Sequence, residues 1–244
     1  MNVLVTAGNT LALIDRVRCI TNIFTGRTGA SIAVEAYRRG HRVTLLTSHP
    51  EAVDATEDLD PARWAVRPYR TFEDLHGEME RHVTTGAVDA LVHCAAVSDY
   101  LCAGVYAPAG GTRFDADAGR WDGAPPALVD RRAGKVKSDE PEVWLRLVRA
   151  PKLVDRVRGD WRFRGVLVKF KLEVGLSDEQ LLAVAERSRQ VSDADLMVAN
   201  TLEGAAVYAY LGAGVDGYER VSRRALAGRL LDRVEQMHVG RPAD

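Results

Sequence analysis

The residues of this chain with the types and spacing to do chemistry are concentrated between Asp15 and Gly29, in the run IDRVRCITNIFTGRTG. Asp15, Arg18 and Asn22 come ahead of Thr25, Gly26, Arg27 and Gly29, where an amphipathic helix begins. Free N–H groups and the positive end of the dipole favour an anion at a helix start; glycines admit close backbone approach and arginine adds charge. The run therefore reads as a phosphate cradle, although an ordinary turn capped by Thr25 would share part of the pattern. A second candidate is HCAAVSDY, which brings small residues and then Asp99 to a strand end. A flat base or a ribose packs well on Ala95 and Ala96 while the Asp99 carboxylate accepts hydrogen bonds; capping of a local turn by Asp99 is the alternative.

The lysines form a third signal. Of 33 basic residues only Lys135, Lys137, Lys152, Lys169 and Lys171 are lysines, and the rest are arginines. A compact ammonium differs physically from a planar guanidinium, so lysines kept against this bias mark places where the fork cannot substitute, unless they cluster by chance. Lys135 and Lys137 follow Gly134 and would otherwise be a solvated edge.

The elements that must position these groups alternate. Asn2 to Thr6, Arg42 to Thr47, Trp64 to Tyr69, Ala87 to Ala95, Gly165 to Lys171 and Ala194 to Ala199 read as strands. Between them, Arg27 to Arg39 and Thr71 to Val83 read as helices, the latter opened by Thr71 with Asp74 three residues on. A short helix follows Pro151, Ser177 with Gln180 caps a helix to Gln190, and Ser222 to Met237 closes the chain. The alternation predicts an α/β, Rossmann-like, doubly wound and mostly parallel sheet with helices on both faces. Ligands in such sheets bind beyond the carboxyl ends of the strands, which singles out the loops from Ala7 to Gly29, from Ala95 onward and from Phe170 to Gly175. Gly8 to Thr25 reads as a long loop and His49 to Pro61 as an acidic one. From Asp99 to Gly134 the order dissolves into Gly, Pro, Asp and Ala, so we expect a single domain over residues 1–244 with a flexible lid or loop at 100–134.

Composition excludes several functions. With 46% apolar and 27% charged residues the chain folds, and a net charge of −1 gives no pull toward nucleic acid. No run reaches the roughly 18 apolar residues a membrane span needs. MNVLVTAG reads as a strand with neither a basic region nor a cleavage site, so a cytoplasmic protein is expected. Cys19, Cys94 and Cys102 form no CxxC pair and suggest neither disulfide nor metal framework. Absence of GxGxxG after the first strand, of GxxxxGK[ST], GxSxG and HExxH argues against the commonest dinucleotide, P-loop, hydrolase and zinc-protease chemistries.

The series TAGxT, DxVRxITN, TGRxG, AAVSDY, KVKS, KFKLE and VAN, from Val3 to about Asn200, resembles phosphopantothenate-cysteine ligase. That activity is the second of the bifunctional bacterial coenzyme A flavoprotein and a separate enzyme elsewhere; this chain, starting at the ligase's first strand, looks like a stand-alone form. The resemblance implies ligation of 4'-phosphopantothenate to L-cysteine through an acyl nucleotidylate, with CTP or ATP as cosubstrate, Mg2+ as companion and a homodimer as assembly. It implies catalytic roles for Asn22, which holds the acyl intermediate, and Lys135, which serves the activation step. Gly8, Thr10, Ala95, Ala96, Asp99, Lys135, Lys137 and Phe170 match nucleotide-site positions. Arg18, Asn22, Thr25, Gly26, Arg27 and Gly29 match the substrate and phosphate cradle. The chain departs from the pattern at Ser138, the last place of KxKK, and at Asn9, where a second glycine is common. Ser188 and Ser192 stand where CTP-using members tend to carry lysines, and KFKLE with VANTLE leans toward ATP-using members. These losses motivate the alternative of a non-catalytic nucleotide-binding protein that has kept the fold; a nicotinamide oxidoreductase is a weaker one.

Overall fold

In a computed structural model, residues 1–55, 58–122 and 125–241 are described, so the parts of the expected loops at 56–57 and 123–124, and of the expected domain at 242–244, lie outside the described residues. The first half runs β1 (Asn2–Ala7), β2 (Leu11–Leu13), β3 (Cys19–Thr21), α1 (Arg27–Arg38), β4 (Arg42–Thr47), β5 (Trp64–Pro68), α2 (Phe72–Thr84) and β6 (Ala90–His93). It continues with β7 (Tyr100–Pro108), β8 (Arg113–Asp115), β9 (Arg120–Asp122), β10 (Leu128–Asp130) and β11 (Trp144–Arg149). The remainder is α3 (Leu153–Gly159), β12 (Val166–Glu173), α4 (Asp178–Val191), β13 (Leu196–Thr201), β14 (Tyr208–Gly212), β15 (Glu219–Ser222) and α5 (Leu226–Val239). Two compact units result: residues 1–10, 23–96 and 152–244 form one, and residues 11–22 with 97–151 the other.

The larger unit is an eight-stranded sheet in the order β15-β14-β13-β12-β6-β1-β4-β5. Its strands from β5 to β13 pair in parallel, and β14 and β15 extend the edge antiparallel. Strand alternation sorts the core. Val3, Val5, Ala90, Val92, Val166, Val168, Leu196 and Val198 pack on one face with Ile32, Ala33 and Ala36 of α1 and Leu230, Leu231 and Val234 of α5. Met197 and Ala199 point the other way, onto Leu181 and Ala185 of α4. Each large side chain so buried contributes roughly 1.5–3 kcal/mol, which is why continuous Val/Leu/Ile runs become central parallel strands. Helix starts obey their caps: Thr71 with Asp74, and Ser177 with Gln180, form reciprocal capping boxes as the sequence predicted.

The smaller unit takes in the stretch from 100 to 134. The stretch read as a structureless loop supplies β7, β8, β9 and β10, with β7 as the centre of a three-stranded antiparallel sheet β10-β7-β11. Phe114, Trp121 and Trp144 close its β8–β9 hairpin as a triangle of rings 4.7–5.2 Å apart. The stretch from Gly8 to Thr25 likewise contains a hairpin, β2 with β3. Short, half-exposed strands rich in Gly, Pro, Asp and Ala lack the apolar period that identifies a strand in sequence. Among the described residues no helix is long and apolar enough to cross a membrane.

Candidate functional site

In the larger unit, the turn after β1 is built on three glycines. Gly8 has φ +90° and Gly26 has φ +77°, conformations that a side chain disfavours. A Cβ on Gly26 would lie 2.4 Å from the Gly8 nitrogen, and one on Gly29 would lie 2.7 Å from the Ala7 Cβ. The start of α1 therefore packs directly on the end of β1, which only hydrogen at these positions permits. Gly26 is the N-cap residue, no side chain caps the helix, and its first turn carries no acidic residue. The alternative in which Thr25 caps this turn is overturned: Thr25 is exposed and makes no cap. The Gly29 amide is directed to the Cys94 sulfur, whose thiol burial pushes up to about 12.

Beside this turn the expected nucleotide-site residues converge by backbone pairing. The Ala96 N–H donates to the Gly8 carbonyl at 2.8 Å, and the Thr10 N–H to the Ala96 carbonyl at 3.4 Å. The Ala95 N–H donates to Thr6 Oγ1 at 3.1 Å, and that hydroxyl also bonds His93 Nδ1 at 3.0 Å. Phe170 is partly buried against the α1 face of the core. Gly8, Thr10, Ala95 and Ala96 are thus one cluster at the carboxyl edge of the sheet, where ligands of parallel sheets bind. Asn9, departing from the glycine pattern, is used: its N–H donates to Ser48 Oγ at 2.9 Å, and its Oδ1 accepts from Ser48 and faces His49.

The opposite sheet face carries a polar row that sequence reading missed. Thr6, His93 and Lys169 lie side by side in register on β1, β6 and β12. Burial and the Lys169 charge depress His93 to about 4. Lys169 Nζ donates to the Ser188 carbonyl at 2.9 Å and to Ser192 Oγ at 2.5 Å, with Asp155 Oδ1 3.9 Å away. The serines at 188 and 192 therefore hold a strand lysine in place of bearing charge themselves. A further residue without sequence signal is Arg223, which donates to the Thr28 hydroxyl in the first turn of α1 from 195 positions away.

In the smaller unit, the DxVR block forms the turn between β2 and β3. Asp15 Oδ1 accepts from the Val17 and Arg18 N–H groups, both at 2.8 Å, a turn that an aspartate side chain makes with backbone donors two and three residues on. Asp15 Oδ2 accepts from Arg18 Nε at 3.0 Å and Nη2 at 2.6 Å. Arg18, expected on the phosphate, pairs here with a carboxylate through Nε and Nη2. Lys135 and Lys137 are exposed on either side of buried Val136. Asn22 is half-buried, and the Asp99 carbonyl accepts from the Ala150 N–H at 2.9 Å. Arg27 is exposed at the first helical position of α1 in the larger unit. Among the described residues no three His, Cys, Asp or Glu side chains form a metal cage.

Known proteins give this geometry a context. Residues 1–107 match the family described as the DNA/pantothenate metabolism flavoprotein C-terminal domain. The coenzyme A biosynthesis bifunctional protein of Thermococcus kodakarensis is 33% identical over 243 residues, covering 96% of this chain and 51% of that protein. The chain spans about half the length of the curated relatives it matches. The crystal structure of the DNA/pantothenate metabolism flavoprotein from Streptococcus pneumoniae has a TM-score of 0.76 at 25% identity, covering 98% of this chain and 100% of that one. A Cab2 variant in complex with phosphopantothenate-cysteine shares the fold with a TM-score of 0.68 at 17% identity, over 98% of this chain and 86% of that one. The chain is thus a homologue of the coenzyme A biosynthesis bifunctional proteins over about half of their length.

Proposed function

We propose that this protein ligates 4'-phosphopantothenate to L-cysteine at the expense of a nucleoside triphosphate. The observation that carries the reading is that DxVR and KVKS, more than a hundred residues apart in sequence, meet as one hydrogen-bonded piece: the Val136 N–H donates to Asp15 Oδ2 at 3.0 Å. In the first step a carboxylate oxygen of phosphopantothenate attacks the α-phosphorus, and the bond to pyrophosphate breaks. Lys135 stabilises the charge that builds on the α-phosphate, with Lys137 beside it; a preplaced ammonium is worth most where charge develops. In the second step the cysteine amine attacks the acyl carbon, loses a proton and expels the nucleoside monophosphate. The Asn22 amide holds the acyl group in line without changing charge.

Gly26, Arg27 and Gly29, with Thr25 ahead of them, offer donors and charge to a phosphate group. Gly8, Thr10, Ala95 and Ala96 supply a flat wall of small residues for base and ribose, Phe170 an aromatic neighbour, and Asp99 an acceptor for ribose hydroxyls. Magnesium, carried on the triphosphate, would neutralise its oxygens. KFKLE and VANTLE support ATP over CTP, and we propose a cytoplasmic homodimer. The non-catalytic alternative rests on the lysines missing at Ser138, Ser188 and Ser192; the Lys169 ammonium, bonded to the Ser188 carbonyl and Ser192 Oγ, supplies a positive charge beside two of these.

Incubation with phosphopantothenate, cysteine, magnesium and each of the common nucleoside triphosphates tests the reading. Pyrophosphate should appear with at least one; its absence with all four ends the proposal. Asn22→Asp should accumulate the acyl nucleotidylate, and Lys135→Gln should never form it.

A further inference from the structure

The DxVR turn does more than close a hairpin. Its buried Asp15 carboxylate accepts the Val136 N–H at 3.0 Å, while Arg18 Nη2 donates to the Val136 carbonyl at 2.5 Å. The Arg16 N–H adds a bond to the Gly134 carbonyl at 3.1 Å. Three backbone groups of the segment 134–136 are thus tied to one four-residue turn, across 118 or more positions of sequence. Val136, at 4% exposure, is the buried anchor between the exposed Lys135 and Lys137.

We infer that Asp15 and Arg18 are positioning residues that fix the backbone of 134–136 and thereby set where the Lys135 and Lys137 ammonium groups stand. This rests on the ligation reading for what the lysines do, and it removes Arg18 from the phosphate cradle. The reason is bonding: the Arg18 Nε and Nη2 donors already face Asp15, and Nη2 also serves Val136. A phosphate would find these two donors already held in a two-point, charge-assisted pair with a buried carboxylate. The Arg18 guanidinium, then the Val136 and Val17 N–H groups, hold the Asp15 carboxyl well below the usual carboxylate range against the opposing effect of burial. The clamp is therefore charged throughout the neutral range. Arginine is required because a single ammonium cannot bond a carboxylate twice and a carbonyl as well in one plane.

The test uses the full chain with Asp15→Asn, Arg18→Lys and Lys135→Gln. Amide hydrogen exchange reads the clamp directly: Val136 should exchange at least about tenfold faster in Asp15→Asn and in Arg18→Lys, with β1 and β6 amides unchanged. Pyrophosphate release reads its consequence. We expect kcat to fall about 10–100-fold in either single variant, with KM for phosphopantothenate within about threefold. Lys135→Gln itself should leave Val136 exchange unchanged, because the clamp holds the backbone that carries the lysine and does not act through its side chain.

Unchanged exchange at Val136 overturns the clamp. A raised KM for phosphopantothenate with kcat intact in Arg18→Lys makes Arg18 a phosphate ligand and overturns the positioning role. Full activity of Lys135→Gln sinks the catalytic reading, while the Val136 amide still decides the clamp, so the two failures are distinguishable. If Asp15→Asn fails to fold, Arg18→Lys carries both measurements.

Discussion

The turn at Gly8 and the segment around Val136 are both irregular backbone beside candidate chemistry, yet different physics holds each. In the larger unit, β1 and α1 meet because Gly26 and Gly29 lack side chains, so position is set by steric closeness within a packed parallel sheet. In the smaller unit, with its short antiparallel strands, position is set by the Asp15 and Arg18 hydrogen bonds. Contact geometry of the first kind is unforgiving, since backbone cannot yield. The second kind is directional and can be loosened by altering one charge. Catalytic sites need both: a fixed floor, and reactive groups whose presentation is tuned separately.

The sharpest way to break this contrast is a pair of glycines with nearly equal torsions. Gly26 and Gly111 have φ of +77° and +78°, but a Cβ at Gly26 meets the Gly8 backbone at 2.4 Å whereas one at Gly111 meets nothing within 4 Å. Gly26→Ala should cost about 3 kcal/mol, combining strain and clash, and lower Tm by roughly 6–12 °C in a calorimetric scan. Gly111→Ala, which bears the strain alone, belongs at the other end of the scale at about 1 kcal/mol. Equal losses would mean that closeness does not govern the larger unit.

His93 offers a test of comparable size within the same sheet. Its folded value near 4 lies below the ordinary 6.5, so the neutral ring is favoured in the folded state. As pH falls from about 6.5 to 4 the unfolded chain binds the proton first, and stability declines; above 6.5 the contribution is complete. The decline from this group should reach about 3 kcal/mol, seen as a steeper pH dependence of urea midpoints in wild type than in His93→Leu. Parallel pH profiles would remove His93 from the buried row. Next in size is Trp144→Ala, which dismantles the ring triangle and should cost about 1–2 kcal/mol. Its effect should appear in amide exchange of β7 and β11 and leave β1 and β6 protected; spreading to β1 would contradict the separation of the two units.

The reach of sequence reading follows the same divide. β1, β4, β6, β12 and β13 announce themselves because burial on both faces demands unbroken apolar runs, and Thr71 and Ser177 mark helix starts by their caps. β7 to β10 escape notice because half-exposed strands of small and polar residues carry no such constraint, and β14 and β15 were likewise unread. Gly8, Thr10, Ala95 and Ala96 could be read from position, since they follow two adjacent parallel strands. The partners of Arg18 and Lys169 could not: Val136, Ser188 and Ser192 are set by tertiary contact, and local spacing holds no trace of it.

The ring triangle has a practical corollary. The chain's four tryptophans divide evenly, Trp64 and Trp161 in the larger unit and Trp121 and Trp144 in the smaller. With centroids 4.7 Å apart and planes inclined by 50°, the Trp121 and Trp144 indoles couple as a fixed chiral pair. Their near-ultraviolet dichroism becomes an internal reporter on the antiparallel sheet alone, so melting of the unit that bears Lys135 can be followed optically without attaching a dye.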